Sequence, residues 1–195
     1  MTVREPDKQH LATVQYRDAS NLNARASLHA RFGANEHPWF RWLFDQFARL
    51  TPNNAAVLEV GAGPGALWRD NLDRTPAGWK VTLTDLSEGM VDEERRAISH
   101  PAFTCTTADV ESLPFDDNTV DVVIANHMLY HVPDRPKALS EVRRVLRPGG
   151  AFIAATTGEH NMREMSELLL AVAPDKASAH LRNEVFYAFT LEKWR

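Results

Sequence analysis

The chain has 195 residues, of which 44% are hydrophobic and 25% charged, and this length suits one α/β domain rather than two. Its formal net charge of -4 provides no broad basic surface, so nucleic acid is not an expected partner. No apolar run approaches the roughly 18 residues of a membrane span, and the first residues lack the apolar core of a signal peptide, so no membrane association is expected. The single cysteine, Cys105, cannot form an internal disulfide, which is typical of a cytoplasmic protein.

The amino-terminal residues 1–52 are predicted to form a helical cover, which precedes a main domain of residues 53–195. Within the cover, residues 11–31 have weak helical character, and a stronger helix follows Pro38. Its apolar residues recur at helical spacing: Trp39, Leu43, Phe47 and Leu50. We expect this face to pack on a sheet, an interpretation that is favoured over an aromatic cage for a substrate.

From residue 56 onward, short apolar segments alternate with helical ones. The predicted strands are residues 56–60, 80–85, 102–107, 120–126 and 151–157. The predicted helices are residues 65–72, 87–98, 134–146 and 162–172, with Ser87 as a helix cap and a stop signal at residues 147–150. This alternation indicates βαβ units and therefore a Rossmann-like α/β fold with a doubly wound parallel sheet. Ligands bind such sheets beyond the carboxyl ends of the strands.

The strongest functional signal is an apolar strand that carries Glu59 and then breaks into Gly61, Gly63 and Gly65. Glycines permit a tight turn and let a ligand lie against the backbone, whose N–H groups then face it. Such a loop can also be purely structural. Nicotinamide and flavin sites favour a third glycine one residue later, and Pro64 removes an N–H donor, so an NAD-dependent oxidoreductase is the weaker interpretation.

Acidic residues follow the next two predicted strands. Asp85 ends the second strand, where a carboxylate can accept hydrogen bonds from both hydroxyls of a ribose. Its alternative role is to cap the helix that begins near Ser87. Asp109 follows the third strand, where it offers an acceptor for the amino group of an adenine, and Val110 offers an apolar wall. Together with the glycine loop, these residues predict a site for a nucleotide-like cofactor.

Two histidines follow the fourth predicted strand. If a helical turn continues after Asn126, His127 and His131 lie on one face of it, at the place where a substrate would arrive. Either imidazole is a candidate general base, and hydrogen-bonded scaffolding is the alternative role. No third ligand with suitable local spacing accompanies the pair, so no metal site is expected.

In this order, five segments resemble the successive motifs of class I S-adenosylmethionine-dependent methyltransferases. They are residues 57–65, 84–87, 108–110, 121–126 and 144–150. The resemblance covers residues 56–157 and is closest to the branch with small-molecule acceptors, which includes the ubiquinone and menaquinone methyltransferases. It implies that S-adenosylmethionine is the cofactor, S-adenosylhomocysteine the product and a small molecule the acceptor.

The resemblance also implies roles for individual residues. Gly61, Ala62, Gly63 and Gly65 would pack against the methionine and ribose parts of the cofactor, with Glu59 near its amino group. Asp85 would hold the ribose. Leu86 and Met90 would lie against the adenine, Asp109 and Val110 at its edge, and Asn126 against the methionine moiety.

The family sheet normally continues to a sixth and a seventh strand, for which this chain has no residues. The predicted sheet therefore has five parallel strands in the order 3-2-1-4-5, and its fifth strand is an apolar edge. Three outcomes follow: residues 184–195 cover that edge, a second subunit covers it in a homodimer, or the chain is a truncated product with impaired activity. The first two are favoured. The alternative to a methyltransferase is a protein that binds the cofactor or forms an oligomer without turnover.

Overall fold

The computed structural model describes residues 7–33, 35–161, 163–174 and 189–193. One five-stranded sheet has the order β3-β2-β1-β4-β5, and every neighbouring pair of strands is parallel. The strands are β1 (Ala56–Val60), β2 (Lys80–Asp85), β3 (Phe103–Thr107), β4 (Val120–Asn126) and β5 (Leu146–Ala155). The predicted fold class and strand order are confirmed.

Helices connect the strands and precede them. They are α1 (Lys8–His10), α2 (Ser20–Phe32), α3 (Trp39–Ala48), α4 (Ala66–Arg69), α5 (Glu88–Ala97), α6 (Arg135–Val145) and α7 (Arg163–Val172). Shorter turns of other helical types are Leu11–Gln15, Leu72–Arg74, Leu129–His131 and Leu191–Lys193. The predicted cap of α5 is confirmed, because Ser87 Oγ accepts a hydrogen bond from the Met90 N–H at 3.3 Å. No helix within these described ranges is long and apolar enough to cross a bilayer.

The sheet is buried on both faces, as a parallel sheet requires. Neighbouring residues of a strand point to opposite faces, so Val57 and Ile124 join one apolar cluster while Leu58 and Val123 join the other. Helices α3 and α4 cover the first cluster and α6 covers the second. This arrangement leaves the carboxyl ends of the strands accessible. We call this end of the sheet the carboxyl edge.

The apolar face of α3 differs from the predicted one. Leu43, Phe44 and Phe47 are buried, whereas Trp39 is 40% exposed and Leu50, which lies beyond the end of the helix, is 63% exposed. Two overlapping sets of apolar residues have helical spacing in this segment, and the set that includes Phe44 packs against the sheet. The rings of Trp39 and Trp42 are thus left at the surface.

Two other predicted boundaries were wrong. The helix predicted for residues 65–72 is the four-residue α4, because the buried side chain of Asn71 donates a hydrogen bond to the Leu67 carbonyl at 2.7 Å and competes with the backbone. The stop signal at residues 147–150 lies inside β5, where the pairing shifts along β4 and Gly149 has a φ of +82°. An irregularity in the strand therefore replaces the predicted turn.

The end of β5 contacts the last described residues. Thr156 Oγ1 donates to the Phe189 carbonyl at 2.7 Å, and the Leu191 N–H donates to the Thr157 carbonyl at 3.2 Å. Residues 189–193 therefore lie next to the carboxyl end of the edge strand. Of the tail predicted to cover this edge, residues 184–188, 194 and 195 lie outside the described residues, as does Met162 at the predicted start of α7.

Candidate cofactor site and active site

The glycine loop lies at the carboxyl end of β1, between β2 and β4. Gly61, Gly63 and Gly65 all have left-handed backbone conformations, with φ between +59° and +69°. A Cβ added at Gly61 would lie only 2.7 Å from the Cβ of Met128, so this position requires glycine for packing as well as for conformation. The Ala62 N–H donates to the Thr84 carbonyl at 3.0 Å, which holds the loop against β2.

Asp85 joins this loop to the start of α5. Its Oδ2 accepts a hydrogen bond from the Gly63 N–H at 3.0 Å, and its Oδ1 accepts one from the Ser87 N–H at 2.9 Å. Burial raises the pKa of Asp85, although the backbone N–H groups of Ser87, Gly63 and Leu86 act in the opposite direction. Each carboxylate oxygen can accept a further hydrogen bond, so these contacts leave acceptor capacity for a ligand hydroxyl.

Two more carboxyl groups lie beneath the loop. Glu59 is buried, and its Oε2 accepts a hydrogen bond from Trp68 Nε1 at 2.6 Å. Burial raises the pKa of Glu59 to about 8, and the carboxyl group of Asp85 adds to this rise against the Trp68 hydrogen bond. Glu94, on α5, is fully buried, and burial together with Asp85 and Glu59 raises its pKa to about 9. Asp85 thus raises the pKa of both buried glutamates, and a cationic ligand close to them would favour their ionised forms.

Sequence reasoning missed Glu94. The signal was present, because Met90, Glu94 and Ile98 recur every four residues and the flanking members of this set are apolar and buried. An acidic residue between two buried apolar residues on the same face of a helix is expected to be buried as well. A Cβ added at Gly65 would lie 2.8 Å from Ile98 Cδ1 and 3.6 Å from Glu94 Cγ, so this stripe packs directly under the glycine loop.

Asp109 already has partners for both of its oxygens. Its Oδ2 accepts a hydrogen bond from Lys8 Nζ at 2.6 Å, and its Oδ1 accepts one from the Glu111 N–H at 2.9 Å. Lys8 also forms an ion pair with Glu111 Oε2 at 2.7 Å. Val110 is buried beside them. An adenine amino group that used Asp109 Oδ2 would therefore share this oxygen with Lys8 or displace it.

Leu86 and Met90 have different environments. Leu86 lines an open groove of about 510 Å³ together with Ala12, Thr13, Arg17, Glu88, Gly89 and Thr107. Met90 is only 1% exposed, so it forms the floor under this region rather than its surface. Of the two residues predicted to lie against an adenine, the structure gives Leu86 the accessible position.

Residues 7–19, which we call the amino-terminal segment, cross the carboxyl edge. The carbonyl of Tyr16 accepts a hydrogen bond from Ser87 Oγ at 2.7 Å, and its hydroxyl lies 2.9 Å from His131 Nε2. A Cβ at Gly89 would overlap the carbonyl oxygen of Arg17, so the segment lies directly on the start of α5. These contacts, with the ion pairs of Lys8, make the segment a cover over Asp109, His131 and the start of α5.

The end of β4 brings Asn126 and His127 to the same edge. Asn126 Oδ1 is buried and has no hydrogen-bond partner among the described residues. His127 has a left-handed φ of +54°, its N–H donates to the Ala155 carbonyl at 2.9 Å, and its ring lies 5.5 Å from the ring of Trp39. Burial lowers the pKa of His127, so its imidazole is neutral at neutral pH.

The two histidines do not share the predicted helical face. The helical turn is a 3-10 turn, Leu129–His131, and it begins two residues after His127. His127 therefore lies beside Trp39, while His131 lies beside Tyr16 and Tyr130. The reason is the positive φ of His127, which turns the chain before the helix can start.

Other reactive groups in the described ranges are not arranged for catalysis. Cys105 is half-buried, and burial together with the nearby carboxyl group of Glu94 raises the pKa of its thiol to about 11, so the thiol stays protonated. No group of three or more His, Cys, Asp or Glu side chains in this part of the chain is placed to hold a metal ion.

Comparison with known proteins identifies the family. Residues 58–154 match the family model described as a methyltransferase domain. The malonyl-(acyl-carrier protein) O-methyltransferase of Erwinia pyrifoliae is 34% identical over 163 residues, which are 82% of this chain and 56% of that protein. A ubiquinone/menaquinone biosynthesis C-methyltransferase of Idiomarina loihiensis is 37% identical over 103 residues, covering 50% of this chain and 40% of that protein. The chain thus spans about half the length of these relatives.

A solved structure shows the same fold. A chain in the complex between the Haloferax volcanii Trm112 methyltransferase activator and a methyltransferase aligns with a TM-score of 0.59 and 25% identity. The alignment covers 86% of this chain and 68% of that chain.

The cofactor of this family is S-adenosylmethionine, and the residues at the carboxyl edge suit it. Its sulfonium and amino groups are positively charged, and a cation close to Glu59, Asp85 and Glu94 would favour the ionised forms of these acids. The buried Oδ1 of Asn126, which has no partner within the described residues, leaves an acceptor for a polar ligand. From the matched domain, the curated relatives and the fold, the chain belongs to the class I S-adenosylmethionine-dependent methyltransferases.

Proposed function

We propose that the chain transfers a methyl group from S-adenosylmethionine to a small-molecule acceptor at the carboxyl edge of its sheet. The observation that carries this proposal is the convergence there of the glycine loop, Asp85 and Asn126, which come from three neighbouring strands. The names of the curated relatives, which refer to a malonyl group on a carrier protein and to quinones, support an acceptor of small size.

The proposed cofactor-binding roles are supported by the positions of these residues around the carboxyl edge. Asp85 accepts hydrogen bonds from the ribose hydroxyls, Glu59 lies near the amino group, and Asn126 Oδ1 accepts a hydrogen bond from the methionine moiety. Leu86 lies against the adenine over the floor formed by Met90, and Asp109 and Val110 lie at its edge once Lys8 has moved. The remaining contacts are those of the loop backbone at Gly61, Ala62, Gly63 and Gly65.

The protein has a limited chemical task. The bound cofactor supplies a methyl group that its sulfonium already activates. The chain must align the acceptor in line with that bond and exclude water, since alignment is the main source of rate in such a transfer. The amino-terminal segment covers this end of the sheet and so helps to exclude water.

His127 is the proposed general base. It follows Asn126 directly, and its half-buried, neutral imidazole can take the proton that an acceptor hydroxyl loses when the methyl group arrives. His131 is the second candidate. Because its Nε2 lies within hydrogen-bond distance of the Tyr16 hydroxyl, it can take a proton through that hydroxyl or after the cover has moved.

Calorimetric titration with S-adenosylhomocysteine and with NAD tests the cofactor. We expect the protein to bind S-adenosylhomocysteine and not NAD. Asp85→Asn should weaken that binding by about 1.5–3 kcal/mol, because a charged hydrogen-bond acceptor is lost. Asp92→Asn, an exposed acid on α5 paired with Arg95, is the matched control and should leave the affinity unchanged.

The outcomes separate the candidate functions. Binding of NAD without S-adenosylhomocysteine would exclude the proposal in favour of an oxidoreductase. Binding of S-adenosylhomocysteine without methyl transfer to any member of a broad acceptor panel would favour a cofactor-binding protein without turnover.

A further inference from the structure

Two of the four tryptophans in the described ranges lie outside the core. Trp68 and Trp79 are 0% and 2% exposed, whereas Trp39 and Trp42 are 40% and 43% exposed. Trp39 and Trp42 lie one turn apart on α3, and their rings stack with centroids 5.2 Å apart and an interplanar angle of 26°. We call them the tryptophan pair. Half-exposed aromatic side chains of this size are enriched where proteins bind ligands or partners.

A cavity of about 370 Å³ borders the tryptophan pair and is also lined by Asn35 and His37. This volume lies within the range of about 300–1,000 Å³ that is usual for small-molecule sites. None of these lining residues is a lysine or an arginine, and His37 Nε2 lies 3.6 Å from a carboxylate oxygen of Asp45. The cavity therefore suits an uncharged aromatic ring better than a carboxylate or a phosphate.

The tryptophan pair is connected to the proposed site of methyl transfer. The ring of Trp39 lies 5.5 Å from the ring of His127, at an angle of 47°. His127 follows Asn126, and the next residue, Met128, lies against Gly61 of the glycine loop. Trp39 therefore borders both the cavity and the candidate base, and the residue after that base contacts the cofactor loop.

We propose that this cavity binds the methyl acceptor, and that the acceptor is a planar aromatic molecule with a hydroxyl group directed toward His127. The ring packs against the tryptophan pair, and Asn35 and His37 offer hydrogen bonds at its rim. This inference rests on the proposed function, because it names the substrate class of the same site. It gives Trp39 a role in ligand binding, whereas the spacing of apolar residues predicts that Trp39 packs on the sheet.

Calorimetric binding of 2-naphthol and of its saturated, non-planar counterpart decahydro-2-naphthol tests the inference, with and without saturating S-adenosylhomocysteine. We expect 2-naphthol to bind and the saturated alcohol to bind at least several-fold more weakly. Trp42→Leu should weaken 2-naphthol binding about threefold to tenfold, the usual loss for an aromatic contact, and Trp42→Phe should restore part of it. Leu168→Ala, which truncates an exposed apolar residue on α7, should leave 2-naphthol binding unchanged.

The two proposals fail in different ways. Equal affinity for the two alcohols, or unchanged 2-naphthol binding in Trp42→Leu, would overturn the aromatic site even if S-adenosylhomocysteine binds. A protein that binds 2-naphthol through Trp42 but does not bind S-adenosylhomocysteine would retain the aromatic site and lose the proposed function. S-adenosylhomocysteine affinity that is unchanged in Trp42→Leu shows that the variant is folded.

Discussion

His127 combines an unusual backbone conformation with a shifted side-chain pKa. Its φ of +54° is rare for a residue with a Cβ and is held by the hydrogen bond from its N–H to the Ala155 carbonyl. The same turn of the chain directs the ring toward Trp39 and away from the following 3-10 turn. Burial then lowers the pKa of the imidazole, because the charged form loses its hydration.

A pH profile of kcat/KM for the acceptor tests the role of His127 as a base. A base must be unprotonated to act, so kcat/KM falls as the pH drops through the pKa of the base. Because the pKa of His127 is lowered, this fall, which is the acid limb of the profile, lies below about pH 6.5. His127→Gln should remove that limb and lower the rate by about 10²-fold or more.

His100→Gln is the control for this profile. His100 lies beyond the end of α5, and its ring contacts Phe103, so its substitution should leave both the rate and the acid limb unchanged. If the acid limb persists in His127→Gln, His127 is not the general base, and His131 becomes the candidate.

At the scale of elements, the strands were predictable and the irregular connections were not. The bounds of β1, β2 and β4 match the predicted ranges, because each is a short apolar run that ends in a polar residue or a turn. The shortness of α4 depends on the side chain of Asn71, and the start of β5 at Leu146 depends on pairing with β4. Neither the hydrogen bond of Asn71 nor the pairing of β5 with β4 can be recognised from the local sequence pattern.

The amino-terminal segment gives a prediction of its own. Lys8 contacts Asp109 and Glu111, whose side chains the proposed adenine site needs. Lys8→Met should therefore strengthen S-adenosylhomocysteine binding, by up to about fivefold, since half-exposed ion pairs contribute at most about 1 kcal/mol. Calorimetry measures the change.

The matched control for Lys8 is Lys80→Met, because Lys80 lies at the opposite, amino-terminal end of β2 and its side chain is exposed. It should leave the affinity unchanged. Weaker binding in Lys8→Met would show that the ion pairs close the segment over the bound ligand instead of competing with it.

At the scale of the whole molecule, the parallel sheet explains which parts of the site could be predicted. Strand ends of a parallel sheet meet at one edge, so the glycine loop, Asp85, Asp109 and Asn126 could be grouped from their positions after predicted strands. Contacts between distant segments could not. The ion pair from Lys8 to Asp109 joins residues 101 positions apart, and the packing of Trp39 beside His127 depends on which face of α3 meets the sheet.

The predicted homodimer remains a prediction. Several large apolar side chains of α7 are exposed: Met165, Leu168, Leu170 and Val172. They lie on the helix that follows the edge strand β5, which is the side of the sheet where a second subunit is expected.

The buried acids make the stability of the whole fold depend on pH, in a direction opposite to that of an ordinary ion-paired acid. An unfolded glutamate ionises near pH 4.3, whereas the pKa of Glu94 in the fold is about 9 and that of Glu59 about 8. Between these values the folded protein holds protons that the unfolded chain has released. The free energy of unfolding therefore falls as the pH rises, by up to about 1.4 kcal/mol per pH unit for each such proton.

Urea unfolding at pH 5, 6, 7 and 8, without cofactor, measures this slope. Glu94→Gln stays neutral at every pH, so it should remove the contribution of one proton and make the variant's stability fall less steeply than that of the parent chain. Glu93→Gln is the matched control, because Glu93 is a partly exposed neighbour paired with Arg96, and it should keep the parent's slope. Equal slopes in Glu94→Gln and the parent would mean that Glu94 is ionised in the fold. The three acids would then place more negative charge beneath the glycine loop before any cationic ligand binds.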